Sequence, residues 1–74
     1  MRLEHFRSDV NGIKSKRNHD IPTEQEVNRI WHNEKVVRND GVKVFASDTM
    51  VEVRLRIGNG VGGNLYRDFY KIIN

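Results

Sequence analysis

The chain has 74 residues, with thirteen Lys and Arg against ten Asp and Glu, a net charge of +3, and no cysteine. That length fits a single small domain, 1–74, with a marginal core, and the missing thiols exclude disulfides, thiolate metal sites and a cysteine nucleophile. No apolar run approaches the roughly 18 residues of a membrane span, and the N-terminus lacks the apolar stretch of a signal peptide, so the reading is a cytoplasmic chain with no membrane partner.

Leu3, Phe6, Val10 and Ile13 recur at spacings of three and four. That period predicts a helix over about residues 2–15, weakened by Gly12, which costs about 1 kcal/mol relative to alanine in a helix. Residues 15–20, Ser-Lys-Arg-Asn-His-Asp, read as a polar connection, and Lys14, Lys16 and Arg17 around it form the densest basic cluster. A second helix is signposted by Pro22 and by Thr23-Glu24-Gln25-Glu26, a capping box in which the Thr23 oxygen takes the Glu26 amide and the Glu26 carboxylate returns to the Thr23 amide. Glu24 and Glu26 suit the positive end of the helix dipole. Val27, Ile30 and Trp31 make its apolar stripe, and it is expected to end near Lys35.

Asn39-Asp40-Gly41 signals a turn. Val42, Val44 and Ala46 then alternate with Lys43 and Phe45 as a first strand. Val51, Val53, Leu55 and Ile57 alternate with Glu52, Arg54 and Arg56, the period of a half-buried strand. The glycines at 58, 60, 62 and 63 permit a reversal, and Leu65 to Ile73 returns as a third strand. The predicted fold class is α+β, two N-terminal helices packed on a small three-stranded antiparallel sheet in the order α-α-β-β-β.

The charge is uneven: residues 1–20 hold five basic and three acidic groups, 21–48 four and five, and 49–74 four and two. Ends that meet in space would form a cationic face suited to phosphate. Arg54 and Arg56 share a strand face about 7 Å apart by strand rise, with Arg67 on the partner strand. Guanidinium groups converging from adjacent strands make a fork for a phosphodiester and for the extra charge of its pentacoordinate transition state. Tyr66 and Tyr70 share a parity, so one can stack on a base and the other donate a proton. An ordinary solvent-facing strand and two core tyrosines have the same pattern. The glycine-rich loop lacks the lysine and the following helix of a phosphate loop. His5, His19 and His32 make no helical metal-binding pair. No cofactor or metal is expected.

The strand Val51-Glu52-Val53-Arg54 and the run Tyr66-Arg67-Asp68-Phe69-Tyr70-Lys71-Ile72 resemble the C-terminal hairpin of the RelE/HigB group of small ribonuclease toxins. Gly41-Val42-Lys43-Val44 is similar to the short strand that precedes it. The likeness covers about 35 residues, and only its hairpin part is specific. Members of that group usually open on a β-strand, have a shorter turn between the residues matching Arg54 and Tyr66, and are longer and more basic. The resemblance implies metal-independent cleavage of RNA by attack of a ribose 2′-hydroxyl on the adjacent phosphate. Arg54 and Arg67 would hold the phosphate and Tyr70 would move a proton or stack on a base. Lys14, Lys16 and Arg17 would steer the RNA backbone, with Arg56 and Tyr66 added on geometry. Its partners would be RNA, including messenger RNA on the ribosome, and a cognate antitoxin. The alternative is a non-enzymatic phage or mobile-element protein that binds a host protein or nucleic acid, with Trp31, Phe45 and Phe69 as an exposed apolar patch. A structural domain cut from a larger chain is a third reading.

Overall fold

A computed structural model describes residues 1–74, the burial of Gly60 excepted. Six strands form one antiparallel sheet: β1 (Arg2–Val10), β2 (Ile13–Lys14), β3 (Val36–Val37), β4 (Lys43–Ala46), β5 (Met50–Ile57) and β6 (Asn64–Ile73), in the spatial order β2-β1-β6-β5-β4-β3. Among the described residues one α-helix, α1 (Glu24–Trp31), lies against β4 and β3. This corrects the expected α-α-β-β-β arrangement. The segment expected to be the first helix is instead a β-hairpin, β1 and β2.

The reason lies in a bulge and a turn. β1 and β6 pair in register except between His5 and Arg7, where β1 carries a β-bulge. The extra residue shifts the parity of the strand, so Leu3, His5, Ser8 and Val10 share a face although His5 and Ser8 are three apart. The two-residue turn Asn11-Gly12 puts the paired Val10 and Ile13 three apart as well. Both turn residues have positive φ, 54° and 84°, the backbone of a type I′ hairpin turn, for which Asn-Gly is the strongest short-range signal. Spacings of three therefore arise here without a helix.

Helix α1 begins as expected, with both capping-box hydrogen bonds present between Thr23 and Glu26. It ends at Trp31, four residues before the expected Lys35. Asn33 adopts φ 65° and donates its N–H to the Ile30 carbonyl, while Glu34 donates to Arg29. That pair of bonds is a Schellman stop, with asparagine in the left-handed position glycine usually takes. Val27 is the only fully buried residue of the helix; Trp31 is 42% exposed and donates its indole N–H to the Ser47 carbonyl.

The hairpin of β5 and β6 forms as read, with Val51 opposite Tyr70, Val53 opposite Asp68 and Arg54 opposite Arg67. At its tip Gly58 has φ +93°, and a Cβ on Gly63 would lie 3.2 Å from the Gly58 carbonyl oxygen. The core is thin: Val27, Val36, Val42, Val44, Val51, Val53 and Tyr70. It lies on one face of the sheet, beneath α1. Among the described residues no helix is long and apolar enough to cross a membrane.

Gly12→Ala separates the observed hairpin from a helix by sign. Alanine would stabilise a helix by about 1 kcal/mol. In the turn no atom lies within 4 Å of the added methyl, but φ is +84°, so the variant should lose about 1 kcal/mol or more in urea unfolding.

Candidate nucleic-acid interface

Strand pairing assigns every sheet residue to one of two faces. The covered face carries Leu3, His5, Ser8, Val10, Val36, Val44, Ala46, Val51, Val53, Leu55 and the even-numbered residues of β6. α1 covers part of it, and residues 15–20 cover another part. The loop is tied down by the buried carboxylate of Asp68, which accepts from the Asn18 amide at 2.8 Å, the His19 amide at 2.7 Å and the Ser8 hydroxyl at 2.6 Å. Ser8 Oγ in turn accepts from His5 Nε2 at 2.7 Å, and His19 Nε2 donates to the Tyr66 carbonyl.

Among the described residues, neither α1 nor the loop at residues 15–20 packs on the other face. The register places Arg2, Arg7, Lys14, Lys43, Arg54, Arg56, Arg67 and Lys71 there, with only Glu4, Asp9 and Glu52 as acids. Eight of the thirteen basic groups and three of the ten acidic ones thus share one face, leaving five basic and seven acidic groups for the rest of the chain. A modest overall charge conceals a strongly cationic side.

The basic groups are ordered in a row. Reading across the sheet from β4 to β2, Lys43, Arg54, Arg67, Asp9 and Lys14 are successive cross-strand partners. A second row on the same face runs Phe45, Glu52, Phe69 and Arg7, with the bulged Phe6 beside it. All three phenylalanines of the chain therefore lie on this face, and each has a cation over its ring: Arg54 at 4.3 Å from Phe45, Arg67 at 5.2 Å from Phe69 and Lys71 at 5.6 Å from Phe6. Phe45 and Phe6 are 40% and 45% exposed. Beside the row, Lys43, Phe45, Arg54 and Arg56 line a depression of about 440 Å³ with Gly41 and Leu65, and no acid lines it.

Individual cations differ in freedom. Arg67 is held by Asp9 through Nε and Nη2, at 2.9 and 3.0 Å, and Asp9 is wholly buried beneath it. Arg54 Nε lies 3.0 Å from Glu52 Oε2 but does not point at it, so neither atom has a hydrogen bond. Among the described residues Lys43 and Arg56 make no ion pair and are exposed.

Arg54, Arg56 and Arg67 thus come together as the hairpin parity requires, and Lys14 lies at the far end of the same row. Tyr66 and Tyr70 do not join them: both project from the covered face. Tyr70 is fully buried, edge-on to His5 at 5.3 Å, with its hydroxyl unpaired among the described residues. Burial, with the Asp68 charge adding, raises its pKa above the ordinary 10.0, and Arg17 acts in the opposite direction. Lys16 and Arg17 belong to the loop on the covered side. Asp9, Lys43 and Phe6 carry no site signal in the sequence except the Asn11-Gly12 turn, which places Asp9 on this face; Phe6 reaches it only through the bulge. Comparison with protein-family models, curated proteins and solved structures finds no match to the chain.

Removing Arg67 would leave the buried Asp9 carboxylate with only a long contact from Arg7 Nε, at 3.4 Å. Arg67→Ala should lose about 3 kcal/mol, the low end for a broken buried pair because the guanidinium is partly solvated. Hydrogen bonding from Arg67, against the cost of burial, holds the Asp9 carboxyl below its ordinary 3.8. The native state therefore binds fewer protons there than the unfolded chain. This stabilisation is complete above that value and is lost as the pH falls through the lowered one. Urea unfolding between pH 6 and about 2 should show this acid loss in the wild type and a flatter profile in Asp9→Asn.

Proposed function

We propose that this protein binds RNA through its open sheet face and does so without cleaving it. The observation that carries this reading is the segregation of charge together with all three phenylalanines. A face with eight basic and three acidic groups, with half-exposed rings interleaved, offers both phosphate contacts and stacking platforms. Stability alone accounts poorly for it, since Lys43, Arg54 and Arg67 are like charges placed directly opposite one another, an arrangement that destabilises a sheet.

A ribonuclease of the toxin type is the second reading, favoured by Arg54 and Arg67 facing each other on one side of the sheet. It would have to work without Tyr70, whose hydroxyl lies buried on the opposite side. His5, the nearest imidazole to Tyr70, also projects from that side. Arg67 is already neutralised by Asp9, which leaves less of its charge for a transition state. Binding needs none of these groups to be moved.

The test is anisotropy of a labelled single-stranded oligoribonucleotide across a salt series, with gel analysis of the same RNA afterwards. Three phosphate contacts predict a slope of log K on log salt of about −2. Lys43→Ala/Arg56→Ala removes two exposed cations without touching an ion pair, so it should fold normally. Its affinity should fall about tenfold per cation, about 1.4 kcal/mol each, and its slope should become shallower. RNA that stays intact supports binding without chemistry, whereas cleavage lost in Arg54→Ala supports the nuclease. RNA that fails to bind at low salt overturns both.

A further inference from the structure

We infer that the open face takes a single, unstacked RNA strand that runs across the β-strands, from β4 towards β1, with phosphates on one side-chain row and bases on the next. The inference rests on the RNA-binding reading above and specifies the form of the ligand.

The two rows are parallel and one residue pair apart. Phe45 and Lys43, Glu52 and Arg54, and Phe69 and Arg67 are each two residues apart on their own strands, so the rows lie about 7 Å from each other. Both cross the sheet perpendicular to its strands. Lys43 and Arg67 in the charged row are therefore each matched by a ring, Phe45 and Phe69, at about the distance that separates a phosphate from its own base, while Arg54 between them is matched by Glu52. A strand laid along β6 would instead meet cationic and aromatic side chains in alternation, and one laid along β5 would meet no ring at all.

Spacing along the aromatic row selects the conformation of the ligand. Phe45 and Phe69 are two strands apart, about 10 Å at the usual strand separation, and the Phe69 and Phe6 rings are 6.2 Å apart. Bases stacked in a helix rise only about 3.4 Å. Bases that occupy successive rings must be pulled apart, which a single strand permits and a duplex does not. The rings are also tilted, Phe6 and Phe69 by 40°, so no continuous stack could cover both. The row has room for about three bases, the number that comparable sheet platforms hold. The depression lined by Lys43, Arg54 and Arg56 lies at the β4–β5 end, so the most heavily charged phosphate position is beside Phe45. Lys71 over Phe6 supplies the cation at the other end.

The experiment combines a length series with abasic substitutions, using oligouridylates from the dinucleotide upward and a hairpin duplex as competitor. Affinity should climb to about four nucleotides and then rise only with the number of registers available, and the duplex should compete at least tenfold more weakly. Phe45→Leu and Phe6→Leu, both at half-exposed rings, should each weaken binding by fivefold or more, the loss expected for one stacked base. In a tetranucleotide an abasic residue at one end should abolish the effect of Phe45→Leu but not of Phe6→Leu, and one at the other end the reverse. Equal affinity for duplex would overturn the inference, as would both variants coupling to the same nucleotide, while leaving RNA binding itself intact. Failure of every oligonucleotide to bind would instead remove the reading on which the inference rests.

Discussion

The carboxylate of Asp68 decides which side of this sheet is open. It sits at the middle of β6, has no exposed surface, and is satisfied by two loop amides and one serine hydroxyl. A buried carboxylate without such partners would cost several kcal/mol, so the loop at residues 15–19 has little freedom to leave. With the loop and α1 committed to that face, the small valine core needs no second layer. The opposite face is left bare. Arg67, one residue earlier on β6, then engages the buried Asp9 of β1 on the bare side. Two neighbouring residues of one central strand therefore join β6 to its surroundings on both faces, and β6 has the most extensive pairing in the sheet.

What remains on the bare face is electrostatically unfavourable for the protein alone. Cross-strand like charges each cost a few tenths to about 1 kcal/mol, and the chain has two such neighbours in succession, Lys43–Arg54 and Arg54–Arg67. Asp9 and Glu52 offset part of the repulsion, and the rings of Phe45 and Phe69 offset a little more through their quadrupoles. Lys43 and Arg56 receive no such compensation. A polyanion would relieve the strain that these groups create, and its binding would be correspondingly sensitive to salt. Arg67 has the opposite character: its pairing with Asp9 makes it a structural residue first, which is why removing it is expected to affect stability as well as any ligand.

Much of the chain from Pro22 onward is legible because its signals are local. The capping box at Thr23, the strict alternation from Val51 to Ile57 and the turn at Asn39–Gly41 each depend on residues a few positions apart. Arg54 and Arg56 were placed on one face by parity alone. The N-terminal hairpin was not legible by periodicity, since the bulge at Phe6 and the two-residue turn at Asn11-Gly12 both insert helix-like spacings into a strand. A helix over residues 2–15 leaves Asp9 unmatched with Arg67 and Ser8 unmatched with Asp68, because both pairs join residues about sixty positions apart. Tyr70 lies away from the arginines for a simpler reason. Its parity with Val51 and Val53, not with the arginines, was already present in the register of the hairpin, and that parity leads into the core.

Amide chemical-shift mapping during titration with a single-stranded oligoribonucleotide would show whether the bare, cationic sheet face receives the ligand. Binding there should give saturable shifts confined to residues around Phe6, Lys43, Phe45, Arg54, Arg56, Phe69 and Lys71, with the Arg54 side-chain Nε–H moving among the first. The contrasting site is the polar cleft on the helix side, lined by Arg17, Arg29 and Arg38. Shifts that cluster there, with the open face undisturbed, would exclude the bare face as the binding surface.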